Sequence, residues 1–299
     1  MKLKMFKFNS IEELIDENRR WDITFCGKAI DDRGNISYNY AESNSSSLVA
    51  MAYNADDMRL DVNGDTVECY GLSDYINQVS FDSVLIDATT LGVPELALLL
   101  RVLSTLKKKK ISIIYTEPKD YRKKESQVFG GRVFNLTDKF KGFSGIPTIS
   151  KRLDLEEPND VVFFLGFEGH RLQTALEELN IASSDCSLFF GVPPYKPGWE
   201  IDAFENNIKY VNDNDLDGRV YFCGADNPAA VFYELDQLRR SMQDESQLTV
   251  APIGSKPHSL GALLFTAVFK DTNLLYDHPI KSHGRSQSVG AVHIYDVVF

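Results

Sequence analysis

The chain has 299 residues, 43% hydrophobic and 25% charged, enough for one large domain or two modest ones with their own cores. Its formal net charge of −11 disfavours a broad nucleic-acid surface, because neutralising phosphates takes clustered Lys and Arg, yet it leaves room for a small basic pocket. The longest apolar run, LGVPELALLLRVL, is broken by Pro, Glu and Arg and is too short to span a bilayer; no apolar signal segment follows MKLKMFKFNS.

In chain order, SIEELIDENRRW (10–21) has the Ser-to-Glu spacing of a capping box and predicts a short helix. WDITFC (21–26) and SLVAMAY (47–53) read as strands. RLDVNGDTVECYG (59–71) places Asn63-Gly64 between two short β-like runs, a hairpin signal. FDSVLIDATT (81–90) is a strand ending in Asp87. A helix follows from Pro94 through ELALLLRVLSTL, apolar nearly all round and therefore buried. ISIIYTEP (111–118) is a β-branched strand. Strand, helix and strand in this alternation define a parallel βαβ unit.

A second alternating block opens with DVVFFLGFEGHRLQTALEEL (160–179), strand then helix. SLFFGVPPYKPG (187–198) is a strand with a proline-rich exit. IDAFENNIKYV (201–211) is helical, RVYFCGA (219–225) a strand and PAAVFYELDQLRRSM (228–242) a helix. QLTVAPI (247–253) and PHSLGALLFTAVF (257–269) repeat the alternation, and NLLYDHP (273–279) and AVHIYDVVF (291–299) read as closing strands. The expected organisation is an N-terminal α/β block over 1–125, a polar, Gly-containing connecting region over 126–159, and a C-terminal block over 160–299. The expected fold class is α/β, Rossmann-like, with mainly parallel sheets and flanking helices in two βαβ-type blocks. Cys26, Cys69, Cys186 and Cys223 lack CxxC spacing and read as buried free thiols in a reducing cytoplasm.

Ligands of open α/β sheets sit at the carboxyl ends of the strands, so the residues that follow each strand are the candidates. The first strand is followed by Lys28, Asp31, Asp32 and Arg33, and the strand SVLI by Asp87, Thr89 and Thr90. VVFFL leads into Gly166, Glu168, Gly169, His170 and Arg171; LTVAPI leads into Gly254, Ser255, Lys256 and His258. NLLY precedes Asp277, His278, Lys281, His283 and Arg285. With parallel strands, the turns after Cys26, Asp87, Leu165 and Ile253 are expected to share one cleft.

GSKPH (254–258) is the sharpest of these turns. Pro257 at a first helical position makes Lys256 the expected N-cap, and lysine has no side-chain acceptor for the first N–H groups. Those donors and the Lys charge make an anion site; the bland alternative is a solvent-capped turn. GFEGHR (166–171) is a Gly-spaced strand-to-helix turn without the GxGxxG or GK[ST] fingerprints. Its Arg171 can pair with an anion, and Glu168 can serve a ribose hydroxyl, a base edge or general-base chemistry, or the turn is simply acidic and solvated. Asp87, Thr89 and Thr90 either orient a ligand hydroxyl or close a turn among themselves. AIDDRG (29–34) pairs two acids with Arg33, and HPIKSHGRSQSVG (278–290) carries Lys281 and Arg285 with no acid, a local positive loop or lid. No HExxH or HxH cluster points to a metal, and no GxSxG elbow to a serine nucleophile.

Strand ends carrying DATT, GFEGHR and PIGSKPHSLG on a two-block α/β chain resemble the Rossmann-like sensor domains of bacterial antiviral systems, the CRISPR-associated Rossmann fold class. The likeness spans most of the chain and rests on architecture and loop positions. It implies a cyclic or linear nucleotide at the strand ends, a homo-oligomer and a partner effector. The leading expectation is therefore a cytoplasmic binder of a small anionic ligand, a nucleotide. Lys256, Arg171 and Arg285 or Arg33 would hold phosphate, and Asp87 and Glu168 would contact ribose or base. The alternatives are an enzyme cleaving a phosphodiester or N-glycosidic bond with Glu168 or Asp87 as base, and a structural subunit of a larger complex. The cofactor stays unspecified.

Overall fold

The computed structural model describes residues 1–106, 109–123, 132–134, 136–151, 159–242 and 246–299. Much of the connecting region, namely 126–131, 135 and 152–158, lies outside the described residues. The described elements are, in order, β1 (Lys2–Phe8), α1 (Ile11–Asp16), β2 (Trp21–Cys26), α2 (Asp32–Asn44), β3 (Ser45–Asn54), β4 (Arg59–Val62), β5 (Asp65–Glu68), α3 (Leu72–Gln78), β6 (Ser83–Asp87), α4 (Val93–Leu103) and β7 (Lys110–Tyr121). They continue as β8 (Thr137–Phe140), β9 (Asn159–Phe164), α5 (His170–Leu179), β10 (Cys186–Gly191), α6 (Trp199–Asp213), β11 (Val220–Cys223) and α7 (Pro228–Ser241). The last are β12 (Gln247–Pro252), α8 (Lys256–Val268), β13 (Asn273–Leu274), β14 (Pro279–Lys281) and β15 (Ser286–Val298). The fold is α/β, in two compact units: Met1–Arg122 with Ser282–Phe299, and Lys123–Lys281.

The first unit holds an eight-stranded sheet in the order β1-β15-β7-β6-β2-β3-β4-β5. Only the pairings β7–β6, β6–β2 and β2–β3 are parallel; β4 pairs antiparallel with β3 and β5, and β15 lies antiparallel between β7 and β1. This corrects the expectation of mainly parallel sheets for this half. The hairpin turns at Asn63 and Gly64, whose φ values of 54° and 90° are the left-handed pair that Asn-Gly supplies. The closing strand, which the sequence pattern assigns to the C-terminal block, is a member of this first sheet. Its alternating apolar residues mark it as a strand, but the neighbour it pairs with is set by long-range packing. Leu14, Tyr40 and Ala41 from α1 and α2 pack on Trp21, Leu85, Ile114 and Ile294 of the sheet. Helix α4 starts after Gly92 with Pro94 in its first turn, and nearly all its residues are buried, as its uninterrupted apolar sequence demands.

The second unit is regular. Its five-stranded sheet runs β11-β10-β9-β12-β13, and every pairing is parallel. Numbered along the chain these strands are in the order 3-2-1-4-5. Alternate residues of β9 serve opposite faces: Val161 and Phe163 pack with Leu172, Leu176 and Ala203 of α5 and α6, while Val162 and Phe164 pack with Val231, Leu235 and Phe265 of α7 and α8. Helices thus cover both faces, and the strands are apolar without interruption for that reason. A short antiparallel pair, β8 with β14, completes this unit.

Candidate functional site

Each unit has a point where the strand order reverses. In the second unit it lies between β9 and β12; in the first it lies between β2 and β6. The crevice outside the carboxyl ends of such strands is where open α/β sheets take ligands. The candidate turns fall at these points, two on each sheet, so they do not line one edge of one sheet.

At the second unit's reversal, β9 and β12 are paired up to Phe164 and Pro252, and the turns beyond them abut. A Cβ on Gly254 would stand 2.7 Å from the carbonyl oxygen of Leu165, and one on Gly166 would stand 3.3 Å from the Cα of Gly254. Both glycines are thus needed for the turns to approach. Helix α8 begins at Lys256, one residue earlier than Pro257 predicts, and its N-cap is Ser255. The Ser255 hydroxyl accepts from the His258 N–H at 3.2 Å and donates to the Ala225 carbonyl at 2.7 Å. The expectation that Lys256 caps the helix and leaves its donors open is therefore corrected: serine's oxygen supplies the acceptor that lysine lacks. Lys256 itself is half-buried in the first turn, which contains no acidic residue. His258 is fully buried; its Nε2 lies 3.0 Å from the Gly224 carbonyl, and burial pushes its pKa down to about 4. A neutral imidazole sealed in this way is part of the core and not a ligand contact.

Arg171 also departs from its expected role. It is buried, and its Nε and Nη2 each donate to an oxygen of Asp277 at 2.6 Å while Nη1 donates to the Ile253 carbonyl at 2.8 Å. This bidentate pair uses the fork geometry of guanidinium within the protein and ties α5 to the end of β12. Glu168 accepts from the Thr137 hydroxyl at 3.1 Å and lies 3.6 Å from Arg171. Gly169 allows helix packing: a Cβ there would collide with the carbonyl oxygen of Asn206 in α6. His170 is exposed, edge-on to Phe140 at 4.8 Å. Lys281 is half-buried in β14.

In the first unit Asp87 is completely buried. It accepts from the Ser37 hydroxyl at 2.6 Å, the Thr90 hydroxyl at 2.8 Å and the Thr89 N–H at 3.0 Å. Burial raises its pKa against the lowering effect of these bonds. Thr90 also accepts from the Gly27 N–H at 2.9 Å, and Thr89 from the Thr116 N–H at 3.1 Å. Asp87, Thr89 and Thr90 therefore close the turn among themselves and brace α2 and β7, as one of the two readings of DATT has it. A Cβ on Gly27 would lie 2.8 Å from the Thr90 carbonyl, so this reversal uses the same glycine device as Gly254.

Arg33 and Arg285 lie close enough for their charges to interact. The N–H of Gly284 donates to the Ile30 carbonyl at 2.9 Å, and the Arg122 N–H to the Arg285 carbonyl at 2.8 Å, which holds the 282–285 turn against the exit of β2. Arg33 is buried and pairs through Nη2 with Asp31 Oδ2 at 2.7 Å. Its Nε donates to the Ser286 hydroxyl at 2.9 Å, which in turn donates to Asp31 at 2.7 Å. Ser37, Thr116 and Ser286 are members of this network that the turn-by-turn reading missed, because they come from helix interiors or the far strand. Asp31, expected only as an acid paired with Arg33 after the first strand, is also the N-cap of α2. The four cysteines are free and buried, and burial pushes the thiols of Cys26, Cys186 and Cys223 up to about 12, which makes them poor nucleophiles. Among the described residues no helix is long and apolar enough to cross a membrane. No protein-family model matches the chain, and no curated protein is detectably similar to it. The class defined by fold and site is thus an α/β protein whose candidate turns lie at two strand-order reversals.

Proposed function

We propose that the protein binds a small anionic ligand, a nucleotide, in the reversal crevice of its Rossmann-like second unit. The observation that carries this reading is the all-parallel 3-2-1-4-5 strand order with the GFEG and GSKP turns abutting at the reversal. Two helices, α5 and α8, start at this edge without an acid in their first turns, and Lys256 lies in one of them. Lys256 holds phosphate with the amino end of α8, and Glu168 serves a ribose hydroxyl or base edge. Arg171 contributes indirectly by holding the two turns together. The resemblance to antiviral sensor domains makes the proposed role that of a sensor or accessory component of a bacterial defence system, cytoplasmic, with an effector or a second copy as partner.

A thermal-shift screen with a nucleotide panel, followed by mass spectrometry of the recovered ligand, tests the reading. A binder returns its nucleotide intact. Lys256→Ala is expected to weaken binding by roughly 1–3 kcal/mol, the scale of one lost charge-assisted hydrogen bond. Unchanged affinity in calorimetry would remove Lys256 from the site.

A further inference from the structure

The first unit carries a half-buried arginine, Arg285, whose sealed Nε has no acceptor among the described residues. Arg33 and Arg285 lie close enough at the exit of β2 for their charges to repel, and the acid nearest the pair, Asp31, is bonded to Arg33. That carboxylate is fully used: Oδ1 accepts from the Gly34 N–H at 3.0 Å, and Oδ2 accepts from Arg33 at 2.7 Å and from Ser286 at 2.7 Å. The guanidinium of Arg285 makes no hydrogen bond or ion pair with any described residue, and its Nε is sealed from solvent without an acceptor. Burial, and then the charge of Arg33, lower its pKa from the arginine value. A sealed Nε–H with nothing to receive it is costly, so the half-buried Arg285 gains from an external acceptor. The Arg33 guanidinium lies 6.0 Å over the Tyr121 ring, which forms a flat wall beside the pair.

We propose that Arg285 and Arg33 form a binding site for a singly charged, two-oxygen group of a small molecule, a carboxylate or a phosphodiester. The charge count selects the class. Two guanidiniums against one carboxylate leave a single positive charge, which a monoanion cancels and a phosphate dianion would overshoot. Arg285, with its donors uncommitted, makes the bidentate contact; Arg33, fixed by Asp31 and Ser286, adds charge from a set position. Asp31 and Ser286 are positioning residues. The site uses first-unit residues alone and does not depend on the nucleotide crevice of the second unit.

The test compares melting temperatures in sodium chloride, sodium acetate and sodium dimethyl phosphate at equal ionic strength. Acetate or dimethyl phosphate is expected to raise the melting temperature saturably over chloride, and the one that does so identifies the source as carboxylate or phosphodiester. Arg285→Gln is expected to lose that increment while melting in chloride at or above the wild-type temperature, because it removes an unpaired cation. Lys256→Ala keeps the increment, which separates this site from the second unit's crevice. An arginine Nε–Hε resonance of the wild-type protein, assigned by its absence in Arg285→Gln or Arg285→Lys, is expected to move with the same anion. The proposal is overturned if neither anion exceeds chloride. It also fails if the increment persists in Arg285→Gln, if Arg285→Gln lowers the chloride melting temperature as far as Arg33→Gln does, or if no arginine Nε–Hε resonance of the wild type responds.

Discussion

Arg171 and Arg33 occupy matching places. Each is the second residue of the helix that follows the first strand of a parallel order, and each is buried. Their charges are handled differently. In the second unit Arg171 engages both carboxylate oxygens of Asp277, with Glu168 a further 3.6 Å away. In the first unit Arg33 takes the nearby Asp31, and Arg285 arrives beside it with no acid of its own. A buried guanidinium in balance is a strut, and its arrangement explains stability. A half-buried guanidinium in surplus has no such explanation among the described residues, and it is the surplus, not the mere presence of arginine at a strand end, that points to a ligand.

The largest effect is expected from unbalancing the balanced pair. Asp277→Asn leaves Arg171 with only Glu168 at 3.6 Å as a carboxylate neighbour, and breaking one side of such a pair is expected to cost toward the lower end of about 3–5 kcal/mol. The double change Arg171→Met with Asp277→Leu removes both charges and is expected to recover most of that loss. Urea denaturation of the three variants measures it. A single-variant cost below about 1 kcal/mol would mean that the pair is not a strut, and the contrast between the units would collapse.

The elements were legible where one local signal sufficed. The Asn63-Gly64 hairpin, the apolar α4 and the strand–helix alternation of 160–269 follow from turn chemistry and periodicity. Helix α2 was not, because its sequence DRGNISYNYAESN is polar and its buried face is made of Arg33, Ser37, Tyr40 and Ala41, not of a leucine stripe. The partner of β15 was not legible either, since pairing across more than 160 residues leaves no local trace. The candidate residues were found by the rule that strand ends carry function, and the rule selected real network members: Arg33, Asp87 and Arg171. It could not tell which were spent. That distinction lies in partners such as Asp277 and Ser37, whose distances in sequence are set by tertiary packing.

The acid limb of stability separates the units next. His258 is held neutral down to about pH 4 by burial, whereas an unfolded histidine titrates near 6.5. Between those values the unfolded chain binds the extra proton, so stability falls as pH drops through the window, by up to roughly 3 kcal/mol at 1.36 kcal/mol per unit. His258→Leu is expected to flatten this limb. Asp87 in the first unit acts with the opposite sign: its raised pKa means the folded state holds the proton longer, and stability is lost as pH rises through that value. Asp87→Asn is therefore expected to gain on the wild type as pH rises. Denaturation midpoints from pH 4 to pH 8 read both, and parallel curves for wild type and His258→Leu would show that the imidazole is not the acid-sensitive group.

The smallest effect sharpens the reading of the second unit's crevice. Ser255 supplies the acceptor for the His258 N–H and ties the turn to Ala225, so Ser255→Ala is expected to cost about 1 kcal/mol, as for other serine caps. Lys256→Ala in the same turn leaves the Ser255 cap in place and is expected to cost less than Ser255→Ala. The serine thus holds the helix end, which the lysine cannot do because its side chain has no acceptor. Reversed costs, with Lys256→Ala the more damaging in ligand-free buffer, would make the lysine a structural residue and withdraw it from the crevice. Equal and small costs would instead show that Pro257 alone sets the helix start, because its fixed φ needs no help from a cap.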